Sequence, residues 1–177
     1  MPQCTRRLFL LAALVLGPNA ACAQADATQN PGDVAGALRT GRYDDALAAL
    51  ERRLTAAPSD VQAAKTQLRT LLLLGRLQDG LTLGARHAAQ PNAAGVLTTL
   101  GRLQRAAGRD AEAQASFERA IASRAPDSLR ARLELAILSY DSGKIDAAMT
   151  AFDRFIDVFN ERATSLSSEE LLSVGLA

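Results

Sequence analysis

The sequence has few of the residues with which enzymes usually carry out chemistry. Its 177 residues include no Trp, one His (His87) and two Cys, Cys4 and Cys22, both near the N-terminus. Aromatic residues make up 4% of the chain. This scarcity argues against a metal site built from His or Cys and against a Ser-His-Asp site. We therefore expect a protein that is not an enzyme and that has no cofactor.

The residues that are abundant favour helix. Hydrophobic residues make up 48% of the chain and charged residues 22%, with a net charge of +1, which is typical of a folded protein. Ala and Leu dominate, whereas Val and Ile are few. The length suffices for one domain or a short array of repeats. The composition predicts an all-α fold.

The first 25 residues have the pattern of a signal peptide. Arg6 and Arg7 precede a nine-residue apolar segment, 8–16, and small residues follow. That segment is too short to span a bilayer, so we expect export without a membrane span. Residues 23–25 form a small-x-small cleavage site that leaves Asp26 first. Alternatively, 19–22 resembles a lipobox, which would place a lipid anchor on Cys22. We expect a periplasmic or secreted protein, or an outer-membrane lipoprotein.

Four glycines recur at a nearly constant interval. Gly41, Gly75, Gly108 and Gly143 are separated by 34, 33 and 35 residues, and each is followed directly by Arg or Lys. A Gly after an apolar helical segment is typical of a left-handed helix C-cap. Each interval therefore predicts a helical hairpin. Because neither helix of a hairpin is long enough to be stable by itself, the hairpins are expected to stack.

The residues around these turns resemble the tetratricopeptide repeat. The third unit matches it most fully, at Leu100, Gly101, Gly108, Ala113, Phe117, Ala120 and Pro126. The fourth unit shares Leu135, Ala136, Gly143, Ala148 and Phe152. The resemblance implies antiparallel helical hairpins stacked into a right-handed superhelix. Phe117 is then expected to fill the space between successive hairpins.

The predicted units are 26–60, 61–94, 95–128 and 129–162, and residues 163–177 begin a fifth. The first unit has a short first helix. The second has Gly80 and Gly84 where Ala and an aromatic residue are usual, so we expect loose packing there. In the fifth, Ser167 and Glu170 are spaced as a capping box. Since that helix runs to the end of the sequence, we expect a fragment of a longer chain, with a short natural tail as the alternative.

The first helices of this family line a concave groove, and the resemblance places charged residues there. The groove positions include five cations and no acid: Lys65, Arg69, Arg102, Arg105 and Arg130. Leu133, Ile137 and Tyr140 would add apolar contacts at one end. Residues 62–132 carry a net charge of +6 (11 basic, 5 acidic) and residues 133–177 one of −5 (3 basic, 8 acidic). The pattern favours an acidic peptide as ligand, although solvated surface arginines would give the same pattern.

Other ligands are less well supported. Removal of residues 1–25 leaves 18 basic and 19 acidic residues, a net charge of −1, and few aromatic side chains for base stacking. We therefore expect no nucleic-acid partner. No second His or Cys stands near His87, so we expect a partly exposed helix residue rather than a metal ligand.

The sequence thus predicts an exported scaffold that binds another protein or an extended acidic peptide. Two alternatives stay open. Residues 151–160 and 166–171 resemble large bacterial repeat proteins that end in a gluzincin-type peptidase, although the His-Glu-x-x-His motif of such enzymes is missing here. The other alternative is a lipoprotein that assists pilus or secretion assembly, which follows from lipidation at Cys22.

Overall fold

The computed structural model describes residues 33–123 and 128–177, and every regular element in them is helical. The predicted signal peptide, Cys22, Asp26 and Pro126 lie outside these residues. The α-helices are α1 (Val34–Arg39), α2 (Tyr43–Ala56), α3 (Val61–Leu73), α4 (Leu77–His87), α5 (Ala94–Ala106), α6 (Asp110–Ala122), α7 (Ser128–Asp141), α8 (Ile145–Arg162) and α9 (Ser168–Leu176). A short 3₁₀ turn, Ala163–Ser165, joins α8 to α9. The expectation of an all-α repeat fold is confirmed.

The helices form a stack of hairpins. Each helix packs against its neighbours in sequence, and α3, α5, α7 and α9 also contact one another in that order. These four helices therefore share one side of the stack. The unit boundaries drawn from the sequence stay a prediction. None of the described helices combines the length and apolar character needed to cross a bilayer.

The four repeated glycines end the first helices as predicted. Their φ angles lie between 69° and 76°, in the left-handed region that glycine adopts without strain. The basic residue after each glycine donates its backbone N–H to a carbonyl five residues earlier; for example, Arg109 N lies 2.8 Å from Gln104 O. This is the 6→1 bond of a Schellman motif, which satisfies a carbonyl left free at the helix end.

Phe117 packs between the third hairpin and the helix that follows it, as predicted. Its side chain is fully buried, in a cluster with Leu97, Ala113, Ala120, Ala131 and Leu138 from α5, α6 and α7. The ring lies against Gly101, where an added Cβ would stand 2.5 Å from Phe117 Cε1. The absence of a side chain at Gly101 therefore makes room for the ring.

The expectation of loose packing at Gly80 and Gly84 is wrong. A Cβ at Gly84 would stand 2.7 Å from Leu100 Cδ1, and one at Gly80 would stand 2.8 Å from Leu103 Cδ1. The leucines of α5 occupy the space that larger residues on α4 would have filled. Sequence comparison with the repeat pattern could not reveal this compensation, because it depends on how closely α4 and α5 approach.

His87 is more buried than its sequence context suggested. It is 8% exposed, and its Nδ1 atom has no hydrogen-bond partner among the described residues. It lines a cavity of about 530 Å³ between α2, α3 and α4 together with Gln67, whose Oε1 atom is likewise buried and unpaired in the described structure. The imidazole therefore belongs to the packing between the first two hairpins.

Candidate functional site

The five predicted cations lie on the side of the stack formed by α3, α5 and α7. Four of them, Lys65, Arg69, Arg102 and Arg130, line one cavity of about 280 Å³, which we call the first-helix cavity. Its other lining residues are Gly95, Thr98 and Thr99 of α5 and Glu169, Leu172 and Leu176 of α9. The Thr98 and Thr99 hydroxyls donate to carbonyls of their own helix, each over 2.8 Å. Apart from Arg102, the α5 wall of the cavity therefore consists of small residues whose side-chain polar groups are satisfied.

Three of the arginines surround a buried carboxylate that the sequence analysis missed. The Glu134 side chain is 2% exposed. Its Oε1 atom lies 2.9 Å from Arg130 Nη2 and 3.1 Å from Arg102 Nε. Its Oε2 atom lies 3.3 Å from Arg105 Nη2. The only sequence signal for this contact is the spacing of Arg130 and Glu134, which places them one helical turn apart.

One carboxylate does not balance three guanidinium groups, so this cluster keeps two formal positive charges. Arg105 Nη1 and Glu134 Oε2 are both buried without a hydrogen-bond partner in the described residues, although Arg105 Nη2 forms an ion pair with Glu134 Oε2. Burial is the main cause that lowers the pKa of Arg102, and Glu134 opposes it. Arg130, Arg69 and Arg105 lower that pKa further by repulsion. An additional anion would relieve this repulsion.

The other two cations are paired with α9. Glu169 Oε2 lies 3.4 Å from Lys65 Nζ, and Glu169 Oε1 lies 3.8 Å from Arg69 Nη1. Lys65 is the more buried partner, with a side chain that is 12% exposed. The groove positions carry no acid in the sequence, but Glu134 of α7 and Glu169 of α9 contact the cations at these positions. Two carboxylates from outside the predicted groove positions therefore pair with the five cations.

The apolar end of the predicted groove is not assembled as expected. Tyr140 is 54% exposed near the C-terminal end of α7 and does not line the first-helix cavity. Leu133 is fully buried in a cluster with Leu129 and Phe155, so it cannot contact a ligand. Ile137 is half-buried against the same cluster. Leu133 and Ile137 pack the interior because Phe155 of α8 and Val174 of α9 cover that face of α7.

A larger cavity, of about 1140 Å³, opens between α6, α7 and α8. No motif in the sequence indicated it. Its lining mixes charged residues such as Arg132 and Arg154 with apolar ones such as Ile121 and Val158. Within residues 33–123 and 128–177, no group of three or more His, Cys, Asp or Glu is placed to hold a metal ion.

The comparisons agree with this architecture. Solved structures that resemble the chain include a crystal structure of MamA, with 20% sequence identity, a TM-score of 0.60 and coverage of 71% of this chain and 74% of that one. A MamA RS-1 ArsTM double mutant gives 16% identity, a TM-score of 0.61 and coverage of 75% and 74%. A thermophilic TPR protein of Thermus thermophilus gives 21% identity, a TM-score of 0.40 and coverage of 83% and 96%.

Similarity at this level of identity concerns the fold. No curated protein sequence gives a significant match. The family model of the tetratricopeptide repeat, however, matches residues 36–94 and 98–163, which is most of the chain. Together with the stacked hairpins and the left-handed glycine turns, this match shows that the chain belongs to the tetratricopeptide repeat family.

Proposed function

We propose that the protein is an exported scaffold that binds an acidic segment of another protein at the first-helix cavity. Repeat arrays of this family present an extended surface rather than a reactive pocket, and a scaffold function fits that architecture. The observation that carries the proposal is the excess of positive charge around Glu134. Three arginines share this single buried carboxylate, and Lys65 and Arg69 stand on the neighbouring helix.

The chemistry of the cavity suits a carboxylate ligand. A guanidinium group presents several N–H donors in a fixed plane and forms its strongest contacts with carboxylates. Arg102 and Arg105 keep about a third of their side-chain surface exposed, so a ligand can reach them. Because the contacts are partly solvated, affinity is expected to be modest and to fall as salt increases.

The test is selection of peptides from a displayed random library on the immobilised protein. We expect the selected sequences to be enriched in Asp and Glu at low salt, and the enrichment to weaken at high salt. The variant Lys65→Glu, Arg69→Glu should lose that enrichment. Arg102 and Arg105 are unsuitable for charge reversal, because they hold Glu134 and their loss would leave a buried carboxylate unpaired.

A matched control reverses the same amount of charge elsewhere. Arg39 and Arg86 are exposed and lie outside the first-helix cavity, so Arg39→Glu, Arg86→Glu should keep the enrichment. If the Lys65 and Arg69 variant selects the same acidic sequences as the unchanged protein, the binding site lies elsewhere.

The export part of the proposal rests on the sequence pattern of residues 1–25. N-terminal sequencing of the protein from a bacterial envelope fraction is the direct test. A mature chain that begins at Asp26 supports a periplasmic or secreted scaffold, and a lipid-modified Cys22 supports an outer-membrane lipoprotein. Full-length protein that remains in the cytoplasm would contradict export.

A further inference from the structure

α9 presents two different faces to the rest of the molecule. On one side Val174 packs against the cluster that contains Leu129, Leu133 and Phe155. On the other side Glu169, Leu172 and Leu176 line the first-helix cavity. These three residues stand at positions i, i+3 and i+7, which lie on one face of a helix. α9 therefore turns a face with one carboxylate and two leucines toward the cavity.

The cavity and this face of α9 are complementary. Glu169 pairs with Lys65 and Arg69 of α3, which precede it by about a hundred positions in sequence. Leu172 and Leu176 line the cavity together with Gly95 and Thr98, whose small size permits close approach of a helix. In the free protein, α9 thus supplies to the cavity a carboxylate followed by apolar side chains three and seven positions later.

The contacts between α9 and the cavity are weak. Leu172 and Leu176 remain mostly exposed, and the Glu169–Arg69 pair is solvated on both sides. Partly exposed ion pairs contribute little to stability. α9 has nine residues, fewer than the roughly 12–15 that an isolated helix needs. A partner helix with better contacts would therefore be able to displace it.

We propose that the first-helix cavity binds an acidic amphipathic helix of a partner protein, and that α9 occupies this place in the free protein until the partner displaces it. This inference rests on the proposed function, since it specifies the ligand of the same surface. The ligand inferred here is a helix rather than the extended peptide expected from the sequence, because α9, the segment that lines the cavity, is helical.

The test uses a fluorescent peptide with the sequence of residues 166–177, added to the full chain. A tethered segment competes at a high effective concentration, so the unchanged protein should bind the peptide weakly. The variant Glu169→Lys, Leu172→Ser weakens the contacts of α9 with the cavity. This variant should therefore bind the peptide at least about ten-fold more tightly than the unchanged protein does. The matched variant Glu161→Lys, Leu171→Ser changes exposed residues outside the cavity and should bind like the unchanged protein.

A second measurement keeps the inference testable if the first variant does not fold. Saturating peptide added to the unchanged protein should speed amide hydrogen exchange within residues 168–176, because α9 is released. Bound peptide with unchanged exchange there would overturn the inference, as would equal affinity for the unchanged protein and the Glu169 variant. A peptide that binds neither protein also overturns it. The library selection then decides separately whether the cavity binds acidic segments at all.

Discussion

Phe117 lies where three helices meet, and its environment permits a direct test of the core. Residues of α5, α6 and α7 surround its ring, which has no exposed surface. Replacement by Ala would remove the ring and leave a cavity that the small neighbours Ala113, Ala120 and Ala131 cannot fill. Phe117→Ala should therefore lower the free energy of unfolding by about 3–5 kcal/mol, measured by urea denaturation.

Phe159→Ala is the matched control for that substitution. Phe159 is on α8, is 46% exposed and belongs to none of the buried clusters, so its truncation should change the free energy of unfolding by less than about 0.5 kcal/mol. A similar loss of unfolding free energy in both variants would show that Phe117 contributes no more to the core than Phe159 does.

Gly84 offers the opposite test, in which a side chain is added rather than removed. A methyl group there would stand 2.7 Å from Leu100 Cδ1 and 3.3 Å from Leu100 Cβ. Since Leu100 is itself buried, it has little freedom to move away. Gly84→Ala should cost roughly 1–3 kcal/mol of stability by overpacking, despite the higher helix propensity of Ala.

The comparison for Gly84 is Gly175, a helical glycine in α9 with open space around its Cα. Gly175→Ala should stabilise the protein slightly, by up to about 1 kcal/mol, because only helix propensity changes. Thermal denaturation of both variants checks the two signs. Stabilisation by Gly84→Ala would mean that the second hairpin is loosely packed after all.

At the scale of single elements, α3 depends on a charged N-cap. Asp60 Oδ1 accepts a hydrogen bond from Ala63 N over 2.9 Å, and Arg53 Nε donates to Asp60 Oδ2 over 2.6 Å. The bond from Ala63 is the main cause that lowers the pKa of Asp60 below its ordinary value, and Arg53 also lowers it. A carboxyl whose pKa is lower in the folded state stabilises the fold above its unfolded pKa of about 4, and this contribution disappears as the pH falls.

Asp60→Asn should therefore have an effect that depends on pH. Asn can still cap the helix through its carbonyl oxygen, but it cannot form the ionic contact with Arg53. We expect a loss of up to about 1 kcal/mol near pH 7, and a smaller difference near pH 3, because the stabilisation by the ionised carboxylate declines once the pH falls below the unfolded pKa of about 4. Urea denaturation at both pH values checks this. An equal loss at both would show that the charge of Asp60 contributes nothing.

Local signals explain which elements could be predicted from the sequence. The glycine turns and the capping box at Ser167 and Glu170 each depend on residues within a few positions of one another, and the structure contains both. Contacts between distant segments carry no such signal. Glu134 of α7 forms an ion pair with Arg102 of α5, and Glu169 of α9 forms one with Lys65 of α3. The sequence therefore predicted the cations of the cavity but not the carboxylates that pair with them.

At the scale of the whole molecule, burial is concentrated in the middle of the stack. α5 has ten buried residues among its thirteen, whereas α8 has two, Ala148 and Phe155, among its eighteen. α5 contacts α3, α4, α6 and α7, so hairpins pack against it from both sides. In a repeat array stability is approximately a sum over units and their interfaces, so a helix packed on both sides opens least often.

Amide hydrogen exchange should reveal this gradient along the chain. Because α5 opens only when interfaces on both sides break, its amides should exchange at least about ten-fold more slowly than those of α1 and α9. α1 is six residues long with one buried residue, and α9 is nine residues long with one, so both can open while the central hairpins stay intact. Mass spectrometry of peptides from the exchanged protein gives the rates. Equal protection from α1 to α9 would contradict the gradient, because it would mean that the array opens as a single unit. The ion pairs of Glu169 with α3 would then connect distant parts of the array more strongly than their exposure suggests.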